Sequence, residues 1–338
     1  MQPFAYTRAA THEDVLAEQA RTGARILAGG TTLYDLMKLG LETPAHVIDV
    51  TGVAGLAEIG EAGGELVFDA LATMGDAAAH PLVQQRAPVL AESLSKAASQ
   101  QLRNMATLGG NLLQRTRCAY FRNGPAYPCN KRAPGSGCAA QEGLDRGHAL
   151  FGGSPSCIAV YPGDWAVALV ALDASLDVAG PGGVRRVPVA GLHRLPQQTP
   201  QLETVLAPDE MILRIRVPLG QRGQLGRAST YHKIRDRESY AFATVSAAVA
   251  LELDGGVVTQ ARIALGGVAT RPWRVPAAER ALAGKPLDRA AARQAGVIAF
   301  AQARPGRHNG FKIALGAEVV ADALMIAAER GSQAGEQA

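Results

Sequence analysis

At 338 residues the chain is long enough for two or three domains, each with its own core. Hydrophobic residues make up 47% and charged residues 19%, a globular profile, and no apolar run reaches the roughly 20 residues of a membrane helix, which argues against membrane insertion. The net charge of +4 is mild and dispersed, without Lys/Arg blocks or interleaved aromatics, which argues against nucleic-acid binding.

Aromatics are only 5%, so the core must be aliphatic, supplied by runs such as Trp165 to Leu172. Residues 1–60 read as a small α/β unit. A helix covers Asp14 to Ala20 and a short strand Ala24 to Ala28. A turn follows at Gly29-Gly30-Thr31-Thr32, then a helix from Leu33 to Leu39 and a strand from His46 to Val50. Next come a strand (Glu65 to Ala70), a long helix (Pro88 to Gln101) and a second glycine turn, Thr107-Leu108-Gly109-Gly110-Asn111. Residues 115–156 lose all periodicity and are rich in Pro, Gly, Asn and Arg. So long an irregular stretch calls for a function or an internal staple. Strand signals return at Ile158 to Tyr161, Ala168 to Val178, Val184 to Val189 and Met211 to Val217.

Gly220 to Gly226 reads as a linker to a separate α+β domain. Its strands are Thr230 to Ile234, Ala241 to Leu253 and Val257 to Leu265; its helices are Val275 to Ala283, Ala290 to Ala303 and Glu318 to Arg330. No internal repeat is seen. The N-terminus, Met1-Gln2-Pro3-Phe4, lacks the charged and apolar regions of a signal peptide, so export would rely on a partner's signal.

All four cysteines, Cys118, Cys129, Cys138 and Cys157, fall in or beside the irregular stretch, spaced C-x10-C-x8-C-x18-C. Two disulfides would need an oxidising compartment. A four-thiolate zinc site usually shows close cysteine pairs, absent here. A [4Fe–4S] cluster takes four thiolates and tolerates wide spacing. Arg115, Arg117, Arg122, Lys131 and Arg132 lie among the cysteines, where cations would stabilise a negatively charged cluster. Spacing alone leaves the three readings level.

The turn Ala28-Gly29-Gly30-Thr31-Thr32-Leu33 sits between strand and helix, where glycine lets backbone N–H groups approach a pyrophosphate. Tight turns also use glycine for steric reasons alone. The motif is not the dinucleotide fingerprint and lacks its downstream acid, which argues against NAD.

Three segments together resemble the FAD-binding subunit of the molybdenum hydroxylases, the xanthine dehydrogenase family. They are Ile26-Leu27-Ala28-Gly29-Gly30-Thr31-Thr32-Leu33-Tyr34, Leu102 to Asn111, and Lys233-Ile234-Arg235-Asp236-Arg237-Glu238-Ser239-Tyr240-Ala241. The cysteine stretch and Leu265-Gly266-Gly267-Val268-Ala269 resemble the branch of bacterial periplasmic aldehyde oxidoreductases. The resemblance implies an α+β fold. A two-lobed FAD-binding domain of the vanillyl-alcohol-oxidase type would span 1–222, with lobes at about 1–60 and 61–222 and the cluster loop 115–157 inserted. A C-terminal domain of the CO dehydrogenase flavoprotein type would span 228–335.

It also implies that Ile26 to Tyr34 wraps the FAD pyrophosphate and that Thr107, Gly109, Gly110 and Asn111 face the same cofactor. Asp164 would hydrogen-bond the FAD, and Lys233 would lie at the flavin end. Read from the residues alone, these two are a turn residue and a surface charge. All four cysteines match [4Fe–4S] ligands.

The expected function is an electron relay in a heterotrimer. A large subunit would carry a molybdenum cofactor and oxidise an aldehyde. A small subunit would carry [2Fe–2S] clusters, and electrons would leave to an external acceptor. The location would be periplasmic, by co-export with a signal-bearing partner. No catalytic acid, base or nucleophile is expected here, and His80, His148, His193 and His308 read as isolated surface residues. The alternatives are the flavin subunit of a xanthine, CO or hydroxybenzoyl-CoA type enzyme, a self-contained flavoprotein dehydrogenase, and a zinc-stabilised adaptor.

Overall fold

The structure, a computed structural model, describes residues 1–220 and 224–336. The expected linker Gly220 to Gly226 and the boundary at 222 fall in part on residues 221–223, outside the described residues.

Thr11 starts the first helix, His12–Thr22: its side chain accepts from the Asp14 N–H, and Asp14 reaches back to the Thr11 N–H. Gly23 ends it in the left-handed region at φ 66°. This helix and a second, Leu33–Lys38, connect three parallel strands, β1 (Ala5–Arg8), β2 (Arg25–Leu27) and β3 (His46–Asp49), in the order β1-β3-β2.

Strands β4 (Ile59–Ala62), β5 (Glu65–Asp69), β6 (Ser175–Gly180), β7 (Gly183–Pro188) and β8 (Met211–Pro218) form an antiparallel sheet ordered β4-β5-β8-β6-β7. Ion pairs between neighbouring strands support its register. Arg214 meets Asp69 at 3.0 Å across β8 and β5, and Arg216 meets Asp177 at 2.6 Å across β8 and β6. The third sheet is also antiparallel. Its strands β9 (Ser229–Ile234), β10 (Val245–Asp254), β11 (Val257–Gly266) and β12 (Trp273–Arg274) follow the order β12-β11-β10-β9. Helices Pro276–Leu282, Arg289–Phe300 and Phe311–Glu336 pack against it.

Three expectations need correction. The run Ala168 to Val178 is not one strand: Trp165–Ala171 is a helix, and β6 starts only after Asp173 turns the chain at φ 51°. All seven helix residues are buried at 0–1% exposure, so the helix has no polar face and its sequence no helical period. The long helix Pro88 to Gln101 is two helices, Pro88–Ser95 and Gln100–Arg103. Ala98 adopts φ 48°, and the Ser99 side chain accepts from the Leu102 N–H to begin the second. Ile158 to Tyr161 is not a strand; the Tyr161 N–H donates to Ala269 O at 3.1 Å, docking this segment on the C-terminal sheet.

The buried helix Trp165–Ala171 organises the largest core. Phe68 of β5 meets Trp165 edge-on at 5.3 Å, and Ala248, Ala250 and Ala264 of β10 and β11 join the same cluster. One core therefore runs through both the N-terminal and C-terminal parts. Helix Pro88–Ser95 completes the junction: Glu92 accepts from the Thr230 hydroxyl and the Tyr231 N–H of β9, both at 2.8 Å. Among the described residues no helix is long and apolar enough to cross a membrane.

Candidate functional site

Strand β2, with Ile26 and Leu27, delivers the chain into the first glycine turn, and helix Leu33–Lys38 starts directly after it. A Cβ on Gly29 would fall 1.7 Å from Met105 O, so this turn lies flat on the backbone that leads into the second. Thr107 then caps helix Leu108–Leu112, its Oγ1 accepting from the Gly110 N–H at 3.3 Å. Gly109 lies against β5: its N–H donates to Ala70 O at 2.8 Å, and a Cβ there would meet the Ala70 Cβ at 2.9 Å. The first turn thus packs against Met105 and Ala106, directly before the second.

Their polar groups suit an anionic ligand. Among the described residues the N–H groups of Gly29, Gly30, Thr31 and Thr32 meet no backbone acceptor. Asn111 Oδ1 is buried without a donor, while its Nδ2 faces Met74 Sδ at 3.3 Å. Free N–H groups at a helix start match a pyrophosphate, and an orphaned buried acceptor matches a ligand donor. Tyr34 is exposed beside the turn, with Lys38 Nζ 4.6 Å over its ring.

Asp164 and Lys233, 69 residues apart, form an ion pair of 2.8 Å. Tyr231 donates its hydroxyl to the other Asp164 oxygen, and Lys233 Nζ also donates to Lys96 O at 2.9 Å. Burial pushes the Asp164 carboxyl up, opposed by Lys233 and Tyr231. Burial, with Asp164 beside it, holds the Tyr231 phenol well above its ordinary range, so it remains a donor. Lys233 is therefore not a surface charge but a buried cation at the domain junction.

The cysteine loop is ordered and anchored on two sides. Toward the first lobe, Arg115 bonds Glu42 (and, in the second, Glu203), and Arg117 and Arg122 both bond Asp35 of helix Leu33–Lys38. Leu36 of that helix packs with Phe121 and Cys129. Toward the C-terminal domain, the buried Asp145 accepts from the N–H groups of Arg307 and His308, each at 2.8 Å. The Leu150 N–H donates to Val268 O at 2.7 Å. Within the loop Cys129 and Cys138 face each other across an antiparallel bridge. It is closed by Asn130, whose N–H donates to Gly137 O at 2.7 Å and whose Oδ1 accepts from the Gly137 N–H at 2.8 Å.

Cys118, Cys129, Cys138 and Cys157 are all free thiols and line one cavity. Among the described residues no three His, Cys, Asp or Glu side chains converge to hold a single metal ion. Zinc, with Zn–S bonds of about 2.3 Å, needs its thiolates gathered round a point. A cubane takes four thiolates from around a larger body, which is the arrangement a shared cavity suits. Burial pushes the Cys118 thiol up to about 11. Burial raises Cys157 as well, against the pull of Lys131. The expectation of five cations serving the cysteines is corrected. Lys131 alone among them lines the cavity, and it too pairs with an acid, Glu203, at 2.6 Å. The arginines are spent on acids or, for Arg132, on the carbonyls of Tyr120, Phe121 and Tyr127.

Two histidines expected at the surface are buried. His148 Nε2 lies 3.3 Å from Cys118 Sγ. His193 Nε2 lies 2.9 Å from Leu112 O, and its ring lies 4.2 Å from that of Tyr161, tilted by 50°. His193 lines a second cavity that shares Thr116, Lys131, Cys157 and Ala159 with the thiol cavity. Neither histidine has a spacing signal; the one clue to His148 is its position inside the cysteine span.

Known families account for this arrangement. The FAD binding domain in molybdopterin dehydrogenase matches residues 2–220, and the CO dehydrogenase flavoprotein C-terminal domain matches residues 229–326. The aldehyde oxidoreductase FAD-binding subunit PaoB of Escherichia coli (strain K12) is 45% identical over 328 residues, 96% of this chain and 98% of its own. The carbon monoxide dehydrogenase medium chain of Hydrogenophaga pseudoflava is 28% identical over 313 residues, 91% of each chain. A solved structure of carbon monoxide dehydrogenase from Hydrogenophaga pseudoflava superimposes with a TM-score of 0.75 at 29% identity. The match covers 98% of this chain and 99% of that one. The chain therefore belongs to the FAD-binding subunits of the molybdenum hydroxylases.

Proposed function

We propose that this chain is the electron-transfer subunit of a molybdenum-dependent aldehyde oxidoreductase. In this reading Ile26 to Tyr34, Thr107, Gly109, Gly110, Asn111, Asp164 and Lys233 hold FAD, and Cys118, Cys129, Cys138 and Cys157 hold a [4Fe–4S] cluster. The observation that carries it is the shared cavity of four thiols on a loop bonded to Asp35, one residue beyond the first glycine motif. Likeness to an aldehyde oxidoreductase FAD-binding subunit over nearly the whole chain supports the substrate class.

Bound FAD links two-electron and one-electron chemistry, and the cluster supplies a one-electron site. The chain's own residues do the holding. Backbone N–H groups at Gly29 to Thr32 would meet the pyrophosphate, and Lys233, paired with Asp164, would supply a cation for the charge that builds up on reduction. Lys131 offsets thiolate charge beside Cys157. Substrate oxidation belongs to a large molybdenum-cofactor subunit, and a [2Fe–2S] small subunit feeds this one. An external acceptor removes the electrons. The chain works in the periplasm, carried there with a signal-bearing partner. Residues 1–222 and 228–335 are its two domains.

Anaerobic co-purification with partner subunits tests this. The expected result is one flavin per chain with equimolar iron and sulfide, and aldehyde oxidation only in the complex. Zinc in place of iron would overturn the cluster assignment, and aldehyde turnover by the isolated chain would overturn the relay.

A further inference from the structure

His148 is placed to act on one cysteine ligand. It is 7% exposed, and its Nε2 lies 3.3 Å from Cys118 Sγ. Its Nδ1 is buried without a hydrogen-bond partner. The sulfur is thus the ring's polar contact. The backbone is clamped from the C-terminal domain. Asn309 Nδ2 and Lys312 Nζ each donate to His148 O at 3.3 Å, and Lys312 also donates to Gly267 O at 2.9 Å. Asp145 O accepts from the His148 N–H at 2.8 Å.

A neutral imidazole carries one donor and one acceptor. A metal-bound thiolate only accepts, so the proton must sit on Nε2. We propose, on the reading that the four cysteines hold a cluster, that His148 is a positioning residue whose Nε2–H donates to Cys118 Sγ and raises the cluster's reduction potential. Reduction adds negative charge that the thiolate sulfurs share, and a donor to sulfur stabilises the reduced form more than the oxidised one.

The test is an EPR-monitored redox titration of the assembled complex with wild-type, His148→Leu and His148→Gln chains. The Leu variant is expected to shift the midpoint down by a tenfold change in the equilibrium, about 59 mV for one electron. Gln, which keeps an N–H on a side chain of similar reach, is expected to restore most of it. A Leu variant with full iron content and the wild-type potential overturns the proposal. A second readout needs no variant: wild-type protein with 15N-labelled histidine, studied by pulsed EPR in the reduced state. A histidine nitrogen coupling and an exchangeable proton coupling are expected, and their absence from a cluster-bearing protein overturns the hydrogen bond. Wild-type protein without iron and sulfide would instead remove the cluster reading itself, and this proposal with it.

Discussion

Lys233 of β9 reaches Asp164, the residue before the buried helix Trp165–Ala171, at 2.8 Å, with 1% and 5% of their side chains exposed. The pair joins the flavin-binding part to the C-terminal sheet and leaves Asp164 dependent on Lys233 and Tyr231. Removing the cation strands a buried carboxylate, so Lys233→Met should cost about 3 kcal/mol in urea unfolding. Asp164→Asn combined with Lys233→Met should recover part of that loss. On the proposed reading that Lys233 supplies a cation to the flavin, it should not recover flavin content, measured by the absorbance of bound FAD.

Gly29→Ala should displace Met105, because the new Cβ would meet its carbonyl at 1.7 Å. Overpacking of this kind costs about 1–3 kcal/mol. FAD retention after gel filtration should fall sharply, since both glycine turns shift together. Gly147→Ala, with open space around it, is the control and should retain wild-type flavin.

Cys129→Ser should lose the cluster or the folded loop, because Cys129 packs with Leu36 and Phe121 as well as lining the thiol cavity. Iron and sulfide analysis reads the outcome. Wild-type iron content in this variant would show that Cys129 is not a ligand.

His193 gives stability a pH dependence. Burial lowers its pKa to about 4, so it is neutral when folded, while the unfolded chain binds a proton below about 6.5. Its contribution is fully present above the unfolded value and is lost as pH falls toward the folded one. Between pH 6.5 and 5 the wild type should lose about 2 kcal/mol more than His193→Gln. Urea titrations at the two pH values check this, and parallel losses would show that His193 does not titrate on unfolding.

How much of this was legible depended on whether a residue's role left a local pattern. The glycine turns did, because a close backbone approach excludes every side chain. The four cysteines did, because rare residues crowd one irregular segment. Helix Trp165–Ala171 did not: buried on every side, it shows no alternation and reads like strand. The Asp164–Lys233 pair left none either, since only the family resemblance singled out both residues and the fold alone joins them. The arginines among the cysteines looked like counter-ions to a cluster, yet burial required acids for most of them. A composition cannot tell a charge that faces a ligand from one that closes a loop.

The anchoring of the cysteine loop also sets an order of events during synthesis. Asp145 closes it on Arg307 and His308, which lie 162 and 163 residues further along the chain. The cysteines leave the ribosome long before the segment that locks them in place. If the four thiols take the proposed cluster, loading falls to a nascent chain with an open loop, or to a finished chain whose C-terminal domain yields.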